Sequence, residues 1–233
     1  MKHHWIRKEG NGTLAVFMLG WAADHNMLGD YPAGEGCDMV CFYDYRDMGI
    51  DQETMQEIKS YPHRKLTGWS FGVWAAEEAL GNVGFDSAEA INGTPLPVDE
   101  TYGIPPRNFA VTVRGIESAG GERFVERMCG DRLGEYLRHP SLRSDDDISS
   151  ELRTLAEHFE RQAGGGSHAG EVKEQETDIK NELLGTPARG AIRWDRAVIG
   201  LEDRIFPPEA QRKYWQRTET GIIEREGMPH YFR

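Results

Sequence analysis

The stretch Arg64-Lys65-Leu66-Thr67-Gly68-Trp69-Ser70-Phe71-Gly72-Val73-Trp74-Ala75-Ala76-Glu77-Glu78-Ala79-Leu80 decides the fold. Its first residues close a short extended run. From Val73 to Leu80 it has the apolar spacing and alanine content of a helix. Between the two, Gly68-Trp69-Ser70-Phe71-Gly72 sets a serine on a tight turn. Glycines flank it because a strand and a helix that close so sharply leave no room for side chains there. Strand, turn and helix in this order make the setting of a nucleophile elbow, with Ser70 as the candidate nucleophile. The bland alternative is a serine in a glycine-rich turn.

Further extended segments lie near His4–Arg7, Thr13–Leu19 and Met39–Tyr45, and Ala88–Asn92 runs into Gly93-Thr94-Pro95-Leu96-Pro97, which ends it. The apolar run Leu14–Leu19 suits a parallel strand covered on both faces. From about Pro105 to Pro187 the period becomes helical. Phe124, Val125, Met128, Cys129, Leu133 and Leu137 mark one amphipathic helix, and Ile148, Leu152, Leu155 and Phe159 mark another behind the acidic Asp145-Asp146-Asp147. Gly164-Gly165-Gly166-Ser167 breaks the second, and a weaker helix with Val172, Ile179 and Leu183 follows. Strand character returns at Arg196–Gly200, then a helix at Pro208–Gln216 and an extended Ile222-Ile223. This order predicts an α/β core of residues 1–105 and 188–233, with a helical lid inserted at 106–187.

The 233 residues suffice to bury a sizeable core, and the formal net charge of −12 argues against nucleic acid or an anionic membrane as partner. Met1-Lys2-His3-His4-Trp5 lacks the apolar stretch of a secretory signal, and no apolar run is long enough to span a bilayer, so a cytoplasmic location is expected. Cys37, Cys41 and Cys129 are odd in number and lack metal-ligand spacing, which predicts reduced, buried thiols and no zinc site.

A serine hydroxyl needs an imidazole to take its proton, and the imidazole needs a carboxylate to orient it. Behind an elbow of this kind, the acid and then the histidine follow in chain order. Val198-Ile199-Gly200-Leu201-Glu202-Asp203 reads as a buried strand that breaks at Gly200 and presents Asp203 beyond the sheet edge, with Glu202 as the alternative. His230 alone among eight histidines follows them. So near the end of the sequence it would ordinarily be a frayed polar tail, but Met228, Pro229, Tyr231 and Phe232 point to a docked segment. His3 and His4 precede the fold, His139, His158 and His168 fall in the insert, and His25 is the reserve base. The oxyanion needs two backbone N–H donors. One is expected from Phe71 and one from Leu19-Gly20-Trp21-Ala22-Ala23, where Gly20 lets the chain turn inward and Trp21 offers its N–H. Trp21 also reads as a core aromatic. No metal or organic cofactor is called for.

Leu19-Gly20-Trp21, Cys41-Phe42-Tyr43-Asp44-Tyr45, Gly68–Trp74, Ile91-Asn92-Gly93-Thr94-Pro95-Leu96-Pro97 and His230-Tyr231-Phe232 together resemble the BioG family, the small pimeloyl-acyl carrier protein methyl ester esterases of biotin synthesis. The resemblance spans nearly the whole chain and is weakest in the helical insert. It implies an α/β-hydrolase fold with a mostly parallel central sheet, helices on both faces and a helical lid. It also implies Ser70, Asp203 and His230 as triad, Trp21 and Phe71 as oxyanion donors, and acyl carrier protein bearing a pimeloyl methyl ester as substrate. Carrier proteins present acidic helices, so a cationic landing surface is required. Arg123, Arg127 and Arg138 fall on one side of the first insert helix at about 3.6 residues per turn, and Arg132, Arg143, Arg153 and Arg161 extend the patch. These arginines equally suit pairing with Glu126, Asp131 and Glu135. A thioesterase or a general carboxylesterase with the same triad is the alternative within the enzyme class. A catalytically silent binding protein of this fold is the alternative outside it.

Overall fold

The computed structural model describes residues 1–31, 36–164 and 192–233. Seven strands form one sheet: β1 (Lys2–Arg7), β2 (Thr13–Met18), β3 (Cys37–Tyr43), β4 (His63–Trp69), β5 (Ser87–Ile91), β6 (Arg196–Gly200) and β7 (Gly221–Arg225). Their order is β1-β3-β2-β4-β5-β6-β7. All neighbours run parallel except β1, which pairs antiparallel with β3 at the edge. Every strand expected from the sequence is present, and the burial follows the patterning. Interior β3 is buried from Cys37 to Phe42, while the edge strand β1 exposes Lys2, His3 and His4.

β2 is followed in space by β3 on one side and by β4 on the other, so the chain reverses direction across the sheet at β2 and β4. The crevice at the carboxyl ends of such strands is where open α/β sheets take ligands. Loops 19–24 and 69–71 meet there. The register that pairs Met18 with Gly68 and Trp69 with Ile91 brings the ends of β2, β4 and β5 level with one another.

The helices are α1 (Gln52–Ser60), α2 (Phe71–Leu80), α3 (Pro106–Ala119), α4 (Glu122–Cys129), α5 (Leu133–Tyr136), α6 (Asp145–Gly164) and α7 (Pro208–Trp215). α2 is buried along most of its length, from Phe71 through Ala76 and again at Leu80, because the sheet lies under it and the insert lies over it. α6 buries Ile148, Leu152, Leu155 and Phe159, the stripe read from the sequence. Phe159 packs its ring against Phe71, Trp74 and Phe109, with centroids 5.9, 5.1 and 6.1 Å away.

Two readings of the insert need correction. The helix expected through Leu137 stops at Cys129, because Gly130 turns into the left-handed region with φ 50°. A short 3-10 turn and α5 follow. Leu137 is accordingly exposed. α3, with prolines at its start and Gly120 at φ 71° ending it, is a separate lid helix that the apolar period did not single out. The expected helix with Val172, Ile179 and Leu183 lies outside the described residues.

All three cysteines are buried and unpaired, and burial pushes the Cys41 and Cys129 thiols up to about 12. Among the described residues no helix is long and apolar enough to cross a membrane.

Candidate active site

Ser70 stands at the turn between β4 and α2 with φ 58° and ψ −125°, a conformation that costs on the order of 1–3 kcal/mol for a residue with a Cβ. The surroundings hold it there. Its N–H donates to Ile91 O at 2.9 Å, and its carbonyl accepts from Val73 N–H at 3.1 Å. The flanking glycine Gly72 admits no substitute, since a Cβ there would lie 2.0 Å from Met18 O. Gly93 is under the same constraint, with Ser70 O only 2.4 Å from where its Cβ would be.

His230 Nε2 lies 2.9 Å from Ser70 Oγ, and His230 Nδ1 lies 2.7 Å from Asp203 Oδ2. A carboxylate only accepts, so this contact places the imidazole proton on Nδ1 and leaves Nε2 free to take the serine proton. Asp203 is itself oriented. Its Oδ1 accepts from Ile205 N–H and Phe206 N–H at 2.8 Å each, and Oδ2 also accepts from Gln211 Nε2 at 3.3 Å. The Asp203 side chain is 0% exposed and that of His230 is 2%. Glu202, the alternative acid, is exposed, and its backbone N–H donates to Met228 O. The reserve base His25 sits in a 3-10 turn (His25–Leu28), with its ring stacked on His4 at 4.0 Å. His139 approaches Asp30, and His158 meets Gln162 and Trp74.

Gly20 brings the loop after β2 against Ser70. A Cβ there would lie 3.1 Å from Ser70 Cβ and 3.2 Å from the Trp69 ring. Among the described residues no acceptor meets the backbone N–H of Trp21 or of Phe71. The Trp21 indole N–H is committed elsewhere, donating to Ile148 O of α6 at 2.9 Å, and the ring stands edge-on to Phe124 with centroids 4.7 Å apart. Trp21 is thus both a core aromatic and part of the cavity wall.

Ser70, His230 and Asp203 line a cavity of about 420 Å³, together with Trp21 and Phe71. Its apolar wall includes Phe109, Phe124, Met128 and Leu152, all contributed by lid helices, and Arg127 lies on its border. Arg123 and Arg127 share the exposed face of α4, one turn apart. Arg138 does not share it, because the chain breaks at Gly130 and Arg138 follows α5 on a separate element. Arg143 leaves the patch as well. Its side chain is 4% exposed and is held by Asp147 at 2.6 Å and Glu151 at 2.5 Å. Arg153 pairs with Glu117, and Arg132 donates to Arg233 O. No ion pair joins Arg123, Arg127 or Arg138 to a carboxylate among the described residues.

Residues 1–164 match the family described as "Pimeloyl-ACP methyl esterase BioG". An uncharacterized protein of Haemophilus influenzae is 29% identical over 221 residues, covering 94% of this chain and 89% of that one. A protein of Bacteroides fragilis named malonyl-[acyl-carrier protein] O-methyltransferase is 29% identical over 97% of this chain. The chain spans only 40% of that protein's length, and the activity in the name is that protein's. The crystal structure of BioG from Haemophilus influenzae superposes with a TM-score of 0.78 at 28% identity, over 100% of this chain and 94% of that one. The putative non-heme bromoperoxidase BpoC of Mycobacterium tuberculosis, at 12% identity and TM-score 0.61, shares the fold alone. A profile match to more than half the chain and a full-length superposition agree with the sheet order and the strained serine turn: this chain is an ester hydrolase of α/β-hydrolase fold and belongs to the BioG family.

Proposed function

We propose that this chain is a serine esterase of biotin synthesis that hydrolyses the methyl ester of a pimeloyl chain carried on acyl carrier protein. The observation that carries the mechanism is the continuous contact Ser70 Oγ–His230 Nε2 and His230 Nδ1–Asp203 Oδ2 at the floor of a largely apolar cavity. Ser70 Oγ attacks the ester carbonyl carbon as its proton passes to His230 Nε2. The Trp21 and Phe71 N–H groups receive the oxyanion. Collapse breaks the bond to the methoxy oxygen, which takes the proton from His230 and leaves as methanol. Water then gives its proton to His230 and attacks the acyl-serine, releasing the free carboxylic acid and restoring Ser70. The chain itself supplies each group these steps require.

The family description supports the substrate, and the apolar lid wall suits a methylene chain. The exposed pair Arg123 and Arg127, of which Arg127 lines the cavity, suits an acidic carrier on a protein whose net charge is −12. Arg138 contributes from its own element.

The test is mass analysis of methyl-pimeloyl-carrier after incubation with the parent protein and with Ser70→Ala. Parent protein converts methyl ester to acid with the thioester intact, and the variant is slower by about 10⁴-fold or more. Turnover by Ser70→Ala near the parent rate rejects the mechanism. Release of the acyl chain from the carrier with the methyl ester retained rejects the substrate bond.

A further inference from the structure

Asn92, at the end of β5, has no part in the chemistry above, yet it is 0% exposed and sits in the left-handed region at φ 48°. Its N–H and both polar atoms of its side chain are engaged. Its N–H donates to Val198 O at 3.0 Å. Its Oδ1 accepts from Gly200 N–H at 2.7 Å, and its Nδ2 donates to Pro229 O and to His230 O, each at 2.9 Å. Gly200 ends the strand that leads to Asp203. One side-chain amide therefore bridges the base's backbone and the last residue of the acid's strand.

Trp69, next to Ser70, donates its indole N–H to the same His230 carbonyl at 2.9 Å. Residues 228–233 form neither helix nor strand, and single backbone bonds tie them down: Met228 O accepts from Glu202 N–H and Tyr231 N–H donates to Met128 O, each at 3.0 Å. Two donors converging on the carbonyl oxygen occupy both its lone pairs, and with the Tyr231 N–H bond at the other end of the same peptide they fix its plane and the direction in which the imidazole leaves the chain. Packing alone does not require that convergence.

We propose that Asn92 is a positioning residue for the reaction: it registers His230 against Ser70 and Asp203 through the His230 carbonyl and Gly200, with Trp69 as the second holder. The proposal rests on the reading of Ser70, His230 and Asp203 as the reacting groups. Asn92 acts through His230 and does not touch substrate.

Asn92→Gly is the informative variant, because glycine accepts the left-handed backbone and only the amide is lost. The expected result is a kcat lower by about 10–100-fold, the scale on which small misplacements of a reacting group act, with KM changed by less than about twofold. A kcat loss at nearly constant KM is what a displaced base gives, because Asn92 does not touch substrate. Trp69→Phe lowers kcat in the same way by less. Thermal melts run beside the kinetics give the folded fraction. A kcat loss no larger than the lost folded fraction, or a KM that rises as far as kcat falls, overturns the proposal. Should Asn92→Gly fail to fold, Trp69→Phe decides by the same two readings. Ser70→Ala in parallel separates the two levels. Its retained activity would overturn the triad reading and this proposal together, whereas an inactive Ser70→Ala beside unaltered Asn92→Gly and Trp69→Phe overturns the positioning role alone.

Discussion

Four non-glycine residues among those described have positive φ: Ala22, Asp44, Ser70 and Asn92. Ala22, Ser70 and Asn92 follow the carboxyl ends of β2, β4 and β5, so the strained backbone is gathered around one crevice. Such conformations persist where neighbours over-determine them, and here the neighbours are glycines that let chains approach. Gly20 is the mildest case and the most useful to test. An added methyl at 3.1–3.2 Å from Ser70 Cβ and the Trp69 ring requires a shift of a few tenths of an ångström, which the loop carrying the Trp21 N–H would absorb. Gly20→Ala is therefore expected to leave the melting temperature nearly unchanged and to lower kcat by about tenfold or more through a displaced oxyanion donor. A rate equal to the parent's would remove that loop from the mechanism.

At the scale of elements, α6 is fastened to the sheet by a buried ionic network. Arg143 reaches Asp147 at 2.6 Å and Glu151 at 2.5 Å, and Arg46 bridges Asp147 at 2.6 Å and Asp44. Glu151 is 0% exposed and also accepts Tyr45 N–H at 2.7 Å. Burial pushes its carboxyl upward, while Arg143 opposes this. Cutting one partner from such a pair costs about 3–5 kcal/mol because a charge is left buried alone. Arg143→Met should lose that much in urea unfolding, and Arg143→Met with Glu151→Leu should regain a substantial part. A double variant no more stable than the single one would show that the network contributes more than its buried charge. Together with the Trp21–Ile148 hydrogen bond, the network holds α6, whose Leu152 lines the cavity with Trp21 of the loop after β2.

At the scale of the molecule, Asp38 joins the β1–β2 turn, the end of α1 and the start of β3. Burial alone would raise its carboxyl, but the Glu9 N–H, the Tyr61 hydroxyl, the Asn11 side chain and the Gly10 N–H outweigh it and hold the group at about 2, below the ordinary 3.8. A carboxylate lowered in the folded state contributes stability in full above its unfolded value and loses it as pH falls through the folded one. Asp38→Asn should thus be less stable than the parent above about pH 4, and the gap should narrow towards about pH 2. A gap independent of pH over that window would assign the loss to geometry and not to charge. The parts of this protein that could be read from its sequence are those governed by local rules. The strands follow from apolar patterning and the sharp turn at Ser70 from the glycines around it, while Asp203 and His230 were candidates by chain order alone until the fold brought them to Ser70. Tertiary structure alone decided what depends on residues far apart in the chain. The α4 break at Gly130 separated Arg138 from Arg123 and Arg127, since a helical period cannot register one left-handed residue. Arg143 became a buried clamp because Glu151 and Asp44 converge on it from two elements. Asn92, which reads as a strand-ending residue, met the His230 carbonyl 138 positions away only once the sheet had brought β5, β6 and the last residues of the sequence side by side.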